Sequence, residues 1–297
     1  MALHNGGNIS MKISTEIESF AKLIGEERVI EYAAKAGFDA WDFTMRGMCP
    51  YDPRTRSAAH SDHPLAGADY LKYARKLRQI GLDNGIVCNQ SHAPYPVRVP
   101  EIRAMLKRAI ECTAEAGGEI CIIHPDNNKS PEENAEMYFE LLPFAKDCGV
   151  KIAAENMCNW DRENNCSSFA ACATSESFNA HLDAVGDDYL VACLDIGHAE
   201  MYPSGSGAAN MIRALGPRLA ALHIHDNDKR NDSHRMPFTM DINFSEVVAA
   251  LRDIGYSGYF TLEADQHYND YTAETAFEGI KLLAESARRL ADMFEAK

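Results

Sequence analysis

Short apolar runs alternate with amphipathic segments along most of the chain. The apolar runs that predict strands cover residues 11–17, 38–45, 86–94, 119–125, 150–157, 189–198, 219–226 and 258–264. The segments between them show apolar residues at helical spacing. One is EERVIEYAAKAG, which ends at Gly37, and another begins at Pro131 behind the N-cap Ser130. The pattern predicts eight strand-then-helix units.

Strands that are almost continuously apolar are typical of a parallel sheet covered by helices. Eight such units in 297 residues favour an α/β fold, a single (β/α)8 TIM barrel that forms a catalytic domain over residues 11–297. A doubly wound open sheet is the alternative, but it needs a glycine-rich turn after the first strand, which the sequence lacks. Residues 1–10 show no basic region followed by an apolar core, so we expect a disordered leader there rather than a secretory signal.

The composition narrows the expected partners and location. Lys and Arg total 29 against 44 Asp and Glu, a net charge of −15, whereas proteins that bind nucleic acid normally present a basic surface. No run approaches ~18 apolar residues, so no membrane span is expected. The nine cysteines are scattered without a CxxC pair, as in proteins with reduced thiols. We therefore expect a cytoplasmic protein without a nucleic-acid or membrane partner.

Polar residues gather at the last positions of the predicted strands. They are His92, His124, Glu155, Asp195, His198, His223, His225 and Glu263. In a barrel the carboxyl ends of all strands surround one opening, where active sites lie, while the strand interiors should be apolar. Several carboxylates and imidazoles in one small opening would repel and desolvate one another unless a cation neutralised them. Such ligands without thiolates suit one divalent ion, of Mn, Co, Mg or Zn.

Four segments at these strand ends resemble the xylose isomerase-like barrel superfamily. They are AAEN (153–156), LDIGH (194–198), LHIHDND (222–228) and TLEA (261–264). The resemblance covers the whole barrel from Met11 onward and is greatest to the ketose 3-epimerase-like branch. It implies that the metal ion is held by Glu155, Asp195, His223 and Glu263. His223 matches the family's ligand because it precedes an acidic residue, Asp226, by three positions. His225 points the same way along the strand and is the alternative ligand or a substrate contact.

The resemblance also implies a mechanism. The ion binds the substrate's carbonyl and the neighbouring hydroxyl, which acidifies the adjacent C–H and stabilises an enediolate. One of Glu155 and Glu263 removes the proton. In epimerisation the other glutamate delivers a proton to the opposite face, and in isomerisation the proton moves to the neighbouring carbon. We therefore predict an isomerase or epimerase of carbohydrate metabolism, whose substrate is a small sugar or sugar phosphate.

Further residues are predicted to contact the substrate. His198 matches the family position that hydrogen-bonds substrate oxygens, and Trp160 lies in a loop where relatives contact the sugar. Lys229 and Arg230 could hold a distal hydroxyl or phosphate, or could lie in a solvated loop. The remaining predicted contacts are His92, His124, His225, Asp232 and His234.

Three other functions stay open at this point. An inosose-dehydratase-like lyase begins with a similar proton abstraction and then loses water. A trinuclear-zinc AP endonuclease has a larger ligand set, whose counterparts here are His92, His124, Glu155, Asp195, His198, His223, Asp232, His234 and Glu263, but the acidity of the chain argues against binding a phosphodiester backbone. A non-catalytic sugar-binding barrel would not need the acid/base pair of Glu155 and Glu263. A homo-oligomer is also compatible with the sequence.

Overall fold

Eight parallel strands form the centre of the fold in a computed structural model that describes residues 10–296. The strands are β1 (Ile13–Glu16), β2 (Ala40–Thr44), β3 (Val87–His92), β4 (Ile120–Ile122), β5 (Lys151–Glu155), β6 (Leu190–Asp195), β7 (Leu219–His223) and β8 (Phe260–Leu262). They pair in the order β7-β6-β5-β4-β3-β2-β1-β8. A parallel bridge between Ile224 and Leu262 joins the two outer strands. The predicted barrel is confirmed.

Helices surround the strands. They are α1 (Glu18–Ile24), α2 (Glu26–Ala36), α3 (Tyr70–Asp83), α4 (Pro100–Arg103), α5 (Leu106–Ala116), α6 (Pro131–Asp147), α7 (Ser175–Val185), α8 (Ile196–Glu200), α9 (Ala208–Leu215), α10 (Phe244–Asp253) and α11 (Ala276–Glu295). Large side chains such as Trp41, Phe43 and Tyr138 are fully buried in the main apolar core. None of the helices in residues 10–296 is long and apolar enough to cross a membrane.

The sixth strand ends earlier than the apolar run predicts, and its end forms part of the site. The prediction continued this strand to residue 198, but β6 stops at Asp195. The Asp195 carboxylate accepts a hydrogen bond from the backbone N–H of His198 at 2.7 Å, which caps the short helix α8. Aspartate is a favoured N-cap because its oxygen satisfies an amide at the start of a helix. The segment LDIGH is therefore a strand end followed by a helical turn.

Several other elements differ from the pattern-based prediction. Helix α1 was not predicted, and the single helix expected between β3 and β4 is divided into α4 and α5. The loop after β2 contains a two-stranded hairpin of residues 51–52 and 57–58, and the irregular segment after β5 contains another, of residues 159–161 and 166–168. Both hairpins follow strands at the carboxyl end of the barrel, where loops can contribute to a site.

The barrel interior is partly polar, which corrects the expectation of apolar strand interiors. The Ser14 hydroxyl donates to Asn89 at 2.6 Å, and Asn89 donates to Thr261 at 3.1 Å. Gln90 donates to Asp42 at 2.8 Å. Neither β1 nor β8 is a neighbour of β3 in the sheet. The hydrogen bonds that link them to β3 must therefore cross the interior of the barrel. A smaller apolar cluster lies on the remaining strands and contains Ile122, Ala153, Val191, Cys193 and Ala221. These hydrogen bonds make the buried polar groups tolerable, although Asp42 Oδ1 has no hydrogen-bond partner among residues 10–296.

Two further predictions concern the N-terminal leader and the cysteines. The predicted leader over residues 1–10 lies outside the described residues except for Ser10, whose hydroxyl donates to Glu295 of α11 at 2.9 Å. All nine cysteines lie within the described part, and each is a free thiol.

Glu16 is a buried carboxyl at the junction of β1 and α1. Only 4% of the residue is exposed, and its Oε2 accepts a hydrogen bond from the backbone N–H of Ser19 at 3.0 Å. Burial raises the pKa of Glu16 from 4.5 to about 7, although Ser19 and the charge of Arg46 act in the opposite direction. The folded protein therefore binds this proton more tightly than the unfolded chain does.

We predict that Glu16 makes the free energy of unfolding fall as the pH rises. Because its pKa is higher in the folded state, its stabilising contribution is complete below pH 4.5 and is lost as the pH rises through about 7. The full loss is on the order of 3 kcal/mol. Urea unfolding at about pH 5 and about pH 8 measures the free energy of unfolding of the wild type and of Glu16→Gln. Glu16→Gln should lose this part of the pH dependence, whereas Glu136→Gln on the exposed face of α6 should keep it. An identical pH dependence in Glu16→Gln and wild type would contradict the assignment.

Candidate metal centre and active site

The four residues of the predicted metal-ligand set lie together at the carboxyl end of the barrel. They are Glu155, Asp195 and His223, which end β5, β6 and β7, and Glu263, which follows β8. One possible ligating atom from each lies within 4.8 Å of the others, and all four side chains are buried. The strands bring these distant positions together because parallel strands of a barrel end at one rim.

His223 is held in place by a carboxylate behind it. Its Nδ1 lies 2.8 Å from Glu155 Oε1 and 3.4 Å from Glu263 Oε2. On the other side of the ring, Nε2 lies 3.2 Å from Asp42 Oδ2, the oxygen that accepts from Gln90. Such a carboxylate usually fixes the orientation of a metal-binding histidine. Sequence analysis missed Asp42. The only signal was its place within the apolar strand AWDFT, where a carboxylate needs a buried partner.

Glu155 contacts three imidazoles. Besides His223, its carboxylate lies 2.9 Å from His124 Nε2 and 3.4 Å from His92 Nε2. Burial opposes the charge of Glu155, but His223 and His124 outweigh it and hold the pKa of Glu155 well below its usual value. Burial also lowers the pKa of His124 to about 4, despite the attraction of Glu155. His124 is therefore neutral near pH 7.

Asp195 also belongs to a second group of potential ligands. Ligating atoms of Asp195, His198, His225 and His234 lie within 4.8 Å of one another. His225 Nε2 is 3.1 Å from Asp195 Oδ1, and the rings of His225 and His234 stack with centroids 3.8 Å apart. Asp232 joins this group, at 3.2 Å from His198 Nε2 and 3.1 Å from His234 Nε2. The geometry thus places His223 with Glu155 and Glu263, and His225 in the neighbouring group.

The donor set fits a divalent metal ion. Asp195 Oδ2 is buried and has no hydrogen-bond partner among residues 10–296. His225 Nε2 is also buried, and its 3.1 Å contact with Asp195 Oδ1 lacks the alignment of a hydrogen bond. Burial favours the neutral form of Asp195, but His198 and His225 hold its pKa at about 2, so the carboxylate is ionised. An ionised oxygen without a donor is costly in a buried site, and a cation would satisfy it. Carboxylate oxygens with imidazole nitrogens are suitable ligands for divalent ions.

The other imidazoles balance the carboxylates. Burial acts against protonation, but Asp232 outweighs it and raises the pKa of His234 to about 10. Asp195 and Asp232 likewise hold the pKa of His198 above its usual value. The group therefore alternates positive and negative charges, and a divalent cation could take over part of the neutralising role.

A glycine in the segment LDIGH makes room for His225. A Cβ atom built on Gly197 would lie 1.9 Å from His225 Cε1, which is far inside van der Waals contact. The ring therefore packs directly on the backbone of α8. A glycine is required at position 197 because the His225 ring approaches the backbone too closely for a side chain, and not because of the φ angle.

The imidazoles and carboxylates line a cavity of about 210 Å³. The lining residues are Arg46, His92, Tyr95, His124, Glu155, Met157, His198, Asp232, His234, Glu263, Asp265 and Gln266. Of the predicted substrate contacts, His92, His124, His198, Asp232 and His234 lie in this lining. Sequence analysis missed Arg46, Tyr95, Met157, Asp265 and Gln266, because they lie on loops whose paths no periodic pattern indicates.

Four predicted substrate contacts are not among the lining residues. Trp160 lies in the hairpin after β5 with 41% of its surface exposed. Lys229 pairs with Glu200 at 3.1 Å, and Arg230 is exposed. His225 is fully buried in the second group.

Comparison with known proteins places this architecture in a family. A family model described as a xylose isomerase-like TIM barrel matches residues 30–293. An uncharacterized protein of Methanocaldococcus jannaschii is 27% identical over 252 residues, which cover 79% of this chain and 77% of that protein. The fructoselysine 3-epimerase of Escherichia coli O157:H7 is 27% identical over 129 residues, 43% of this chain and 44% of that enzyme, so the match spans less than half of either.

A solved structure gives the same result for the fold. The crystal structure of a D-tagatose 3-epimerase-like protein superposes with a TM-score of 0.66 at 24% identity, covering 94% of this chain and 99% of that chain. The resemblance inferred from the four strand-end segments is thereby confirmed. The chain belongs to the xylose isomerase-like TIM barrel family.

Proposed function

We propose that the protein is a divalent-metal-dependent epimerase or isomerase of a sugar or sugar phosphate. The observation that carries this proposal is the grouping of two buried glutamates, Glu155 and Glu263, with Asp195 and His223 beside one cavity. Proton removal from carbon and proton return need two carboxyl groups near the same substrate atoms. Sugar binding alone does not need them. The fructoselysine 3-epimerase among the relatives supports a sugar as the substrate.

The two glutamates differ in their surroundings, which assigns them different roles. Glu155 is engaged by three imidazoles. The carboxylate of Glu263 accepts no hydrogen bond from the described residues, and His223 Nδ1 is 3.4 Å away. A carboxylate with free lone pairs beside the cavity is the better placed base. Glu263 therefore removes the proton from the substrate carbon. The ionised Glu155 first takes up a proton from one of the imidazoles that contact it, and then delivers this proton to the opposite face or to the neighbouring carbon.

The residues that would hold the metal ion are Glu155, Asp195, His223 and Glu263. A bound divalent cation would supply the positive charge that acidifies a C–H next to a carbonyl. Asp42 keeps the His223 ring in orientation. His198 and His234 line the cavity and can hydrogen-bond substrate hydroxyls.

We predict that replacing either glutamate abolishes proton exchange. Ketoses such as D-fructose and D-tagatose are incubated with the metal-loaded enzyme in D₂O, and deuterium incorporation next to the carbonyl is measured. Glu263→Gln and Glu155→Gln should each slow wash-in by about 10²- to 10⁴-fold, because a glutamine amide can neither accept the proton, as Glu263 does, nor deliver one, as Glu155 does. The metal content of each variant separates loss of base from loss of ion. Exposed Glu136→Gln is the matched control, and wash-in at the wild-type rate in Glu263→Gln would refute its role.

We further predict that Asp42→Asn weakens metal binding without removing a ligand. The asparagine keeps the size of the side chain but loses the charge behind His223, so the affinity should fall by about 10- to 100-fold. Competition with a chelator measures the affinity. The same substitution at exposed Asp253, which pairs with Arg213, should leave the metal affinity unchanged. Equal affinities in Asp42→Asn and wild type would show that the orientation of His223 does not depend on this carboxylate.

A phosphodiesterase with a three-ion centre is the second candidate. The observation in its favour is that the group of Asp195, His198, His225 and His234, with Asp232 attached, adjoins the first. The metal content of the purified protein is the first measurement that distinguishes the phosphodiesterase from the epimerase or isomerase. We expect about one ion per chain, with deuterium wash-in and no cleavage of abasic DNA, because the net charge of −15 disfavours a phosphodiester backbone. Three ions together with cleavage of abasic DNA would establish the phosphodiesterase instead.

A further inference from the structure

A second cavity of about 210 Å³ lies beside the cavity at the proposed metal centre. We call it the side cavity; its lining consists of Tyr51 and residues 95–98, 124–127 and 157. Tyr95, His124 and Met157 line both cavities, so the two are neighbours across these side chains. On the metal side of this boundary, His124 Nε2 is 2.9 Å from Glu155. Both cavities are open to solvent, so one ligand can occupy both.

Four consecutive loops at the carboxyl end of the barrel form the side cavity. Tyr51 comes from the hairpin after β2, and residues 95–98 belong to the loop after β3. Residues 125–127 follow β4, and Met157 follows β5. In barrel enzymes the loops at this end carry the residues that bind substrates, whereas the opposite end serves stability. The side cavity therefore belongs to the part of the fold that binds substrates.

The side cavity is much less polar than the cavity at the metal centre. Six of its ten lining residues are apolar or aromatic, namely Tyr51, Tyr95, Pro96, Val97, Pro125 and Met157. Of the twelve lining residues at the metal centre, ten carry a charged, imidazole or amide group. A ligand that fills both cavities gains most if one of its ends is polar and the other is apolar, because burial of apolar surface is favourable.

The polar groups of the side cavity create little demand for a charged ligand. Arg98 donates to the Tyr51 hydroxyl at 3.2 Å, and its guanidinium lies 5.4 Å from the centroid of the Tyr51 ring. Asn127 Nδ2 donates to Asn159 Oδ1 at 3.1 Å. The lining contains one arginine, Arg98, and one carboxylate, Asp126, whose charges balance. An uncharged group therefore fits this cavity without leaving an ion unpaired.

The aromatic side of the side cavity is fixed before a ligand arrives. Tyr51 packs against a buried apolar cluster of Cys49, Val99 and Ile102, and Arg98 holds its hydroxyl. A pocket that is already formed costs a ligand less ordering entropy. An apolar cavity of about 150 Å³ is large enough for benzene. The side cavity, of about 210 Å³, can therefore hold one aromatic ring and a short linker.

We propose that the substrate is a sugar conjugate, whose reacting sugar lies at the metal centre and whose uncharged apolar or aromatic substituent occupies the side cavity. This inference rests on the proposed epimerase or isomerase function and specifies the substrate class of that site. A free hexose at the metal centre would leave the side cavity to water, and its apolar lining would add nothing to binding. The side cavity then determines the preference for a conjugate over the free sugar.

The first test measures deuterium wash-in by the metal-loaded enzyme into D-fructose and into its 1-O- and 6-O-ethers. At each position the methyl ether is the matched control for the benzyl ether, because both block the same hydroxyl. At one position the benzyl ether should have a kcat/KM about 10- to 100-fold above that of the methyl ether, since the ring buries a large apolar area. Equal values for the two ethers at both positions would overturn the proposal.

The second test locates the substituent and would not respond to a merely structural role. Val97→Phe fills the side cavity and Tyr51→Ala removes its aromatic side, so each should lower the ratio of benzyl to methyl kcat/KM by about tenfold. The ratio is taken within one variant, so a general loss of activity does not change it. The matched control is Tyr189→Ala, a half-buried tyrosine before β6 whose ring centroid is 5.7 Å from Lys146 Nζ, and it should keep the wild-type ratio. A wild-type ratio in both Val97→Phe and Tyr51→Ala would refute the side cavity as the binding place.

The third test replaces the benzyl group by a second sugar. Trehalulose and isomaltulose carry a glucosyl group on O1 and O6 of fructose, respectively. At the position identified in the first test, the benzyl ether should be preferred by about tenfold, because the hydroxyls of a glucosyl group would lose water in an apolar cavity. Preference for the disaccharide would overturn the apolar substituent.

The same measurements separate the failure of this inference from the failure of the proposed function. If the metal-loaded wild type incorporates deuterium into none of these compounds, the proposed function fails and this inference fails with it. Wash-in into D-fructose without any gain from the benzyl group defeats the inference alone.

Discussion

The central constraint on this molecule is the burial of several carboxylates within a few ångströms of one another. One oxygen from each of Glu155, Asp195 and Glu263 lies within 4.8 Å of the others. The three side chains are buried, so water screens their charges poorly. Such a group is stable only if positive charge lies among its members. The imidazoles around it provide that charge, and they are also the ligands that a divalent ion would use. The same requirement explains the burial, the histidine content and the proposed chemistry of the rim.

The lower part of the barrel supports this arrangement. Asp42 and Gln90 extend the polar network from the rim into the interior, where a hydrogen bond links them and a contact of 3.2 Å joins Asp42 to His223. Gly197 allows the His225 ring to pack on the backbone. A polar interior weakens the apolar core on one side of the barrel, but it holds the imidazoles in one orientation, and catalytic groups need such support. The site therefore depends on residues that do not line the cavity.

The loops complete one side of the cavity. Arg46 after β2 and Asp265 after β8 meet across the opening at 3.1 Å, and Glu18 on α1 completes the pairing. The opening is acidic and its guanidinium is already neutralised.

The sequence by itself predicted the barrel and the polar residues at its strand ends, because strand and helix periodicities are local and barrel strands end at one rim. The resemblance to the family then selected Glu155, Asp195, His223 and Glu263 among those residues. It did not indicate the contacts that Asp42 and Arg46 make, or the exposed positions of Trp160 and Arg230. Those depend on which side chains from distant loops and strands meet, and a one-dimensional pattern carries no information about such contacts. Only the tertiary structure decided how the buried charges are paired, since the pairing is set by distances between strands and loops and not by their order along the chain.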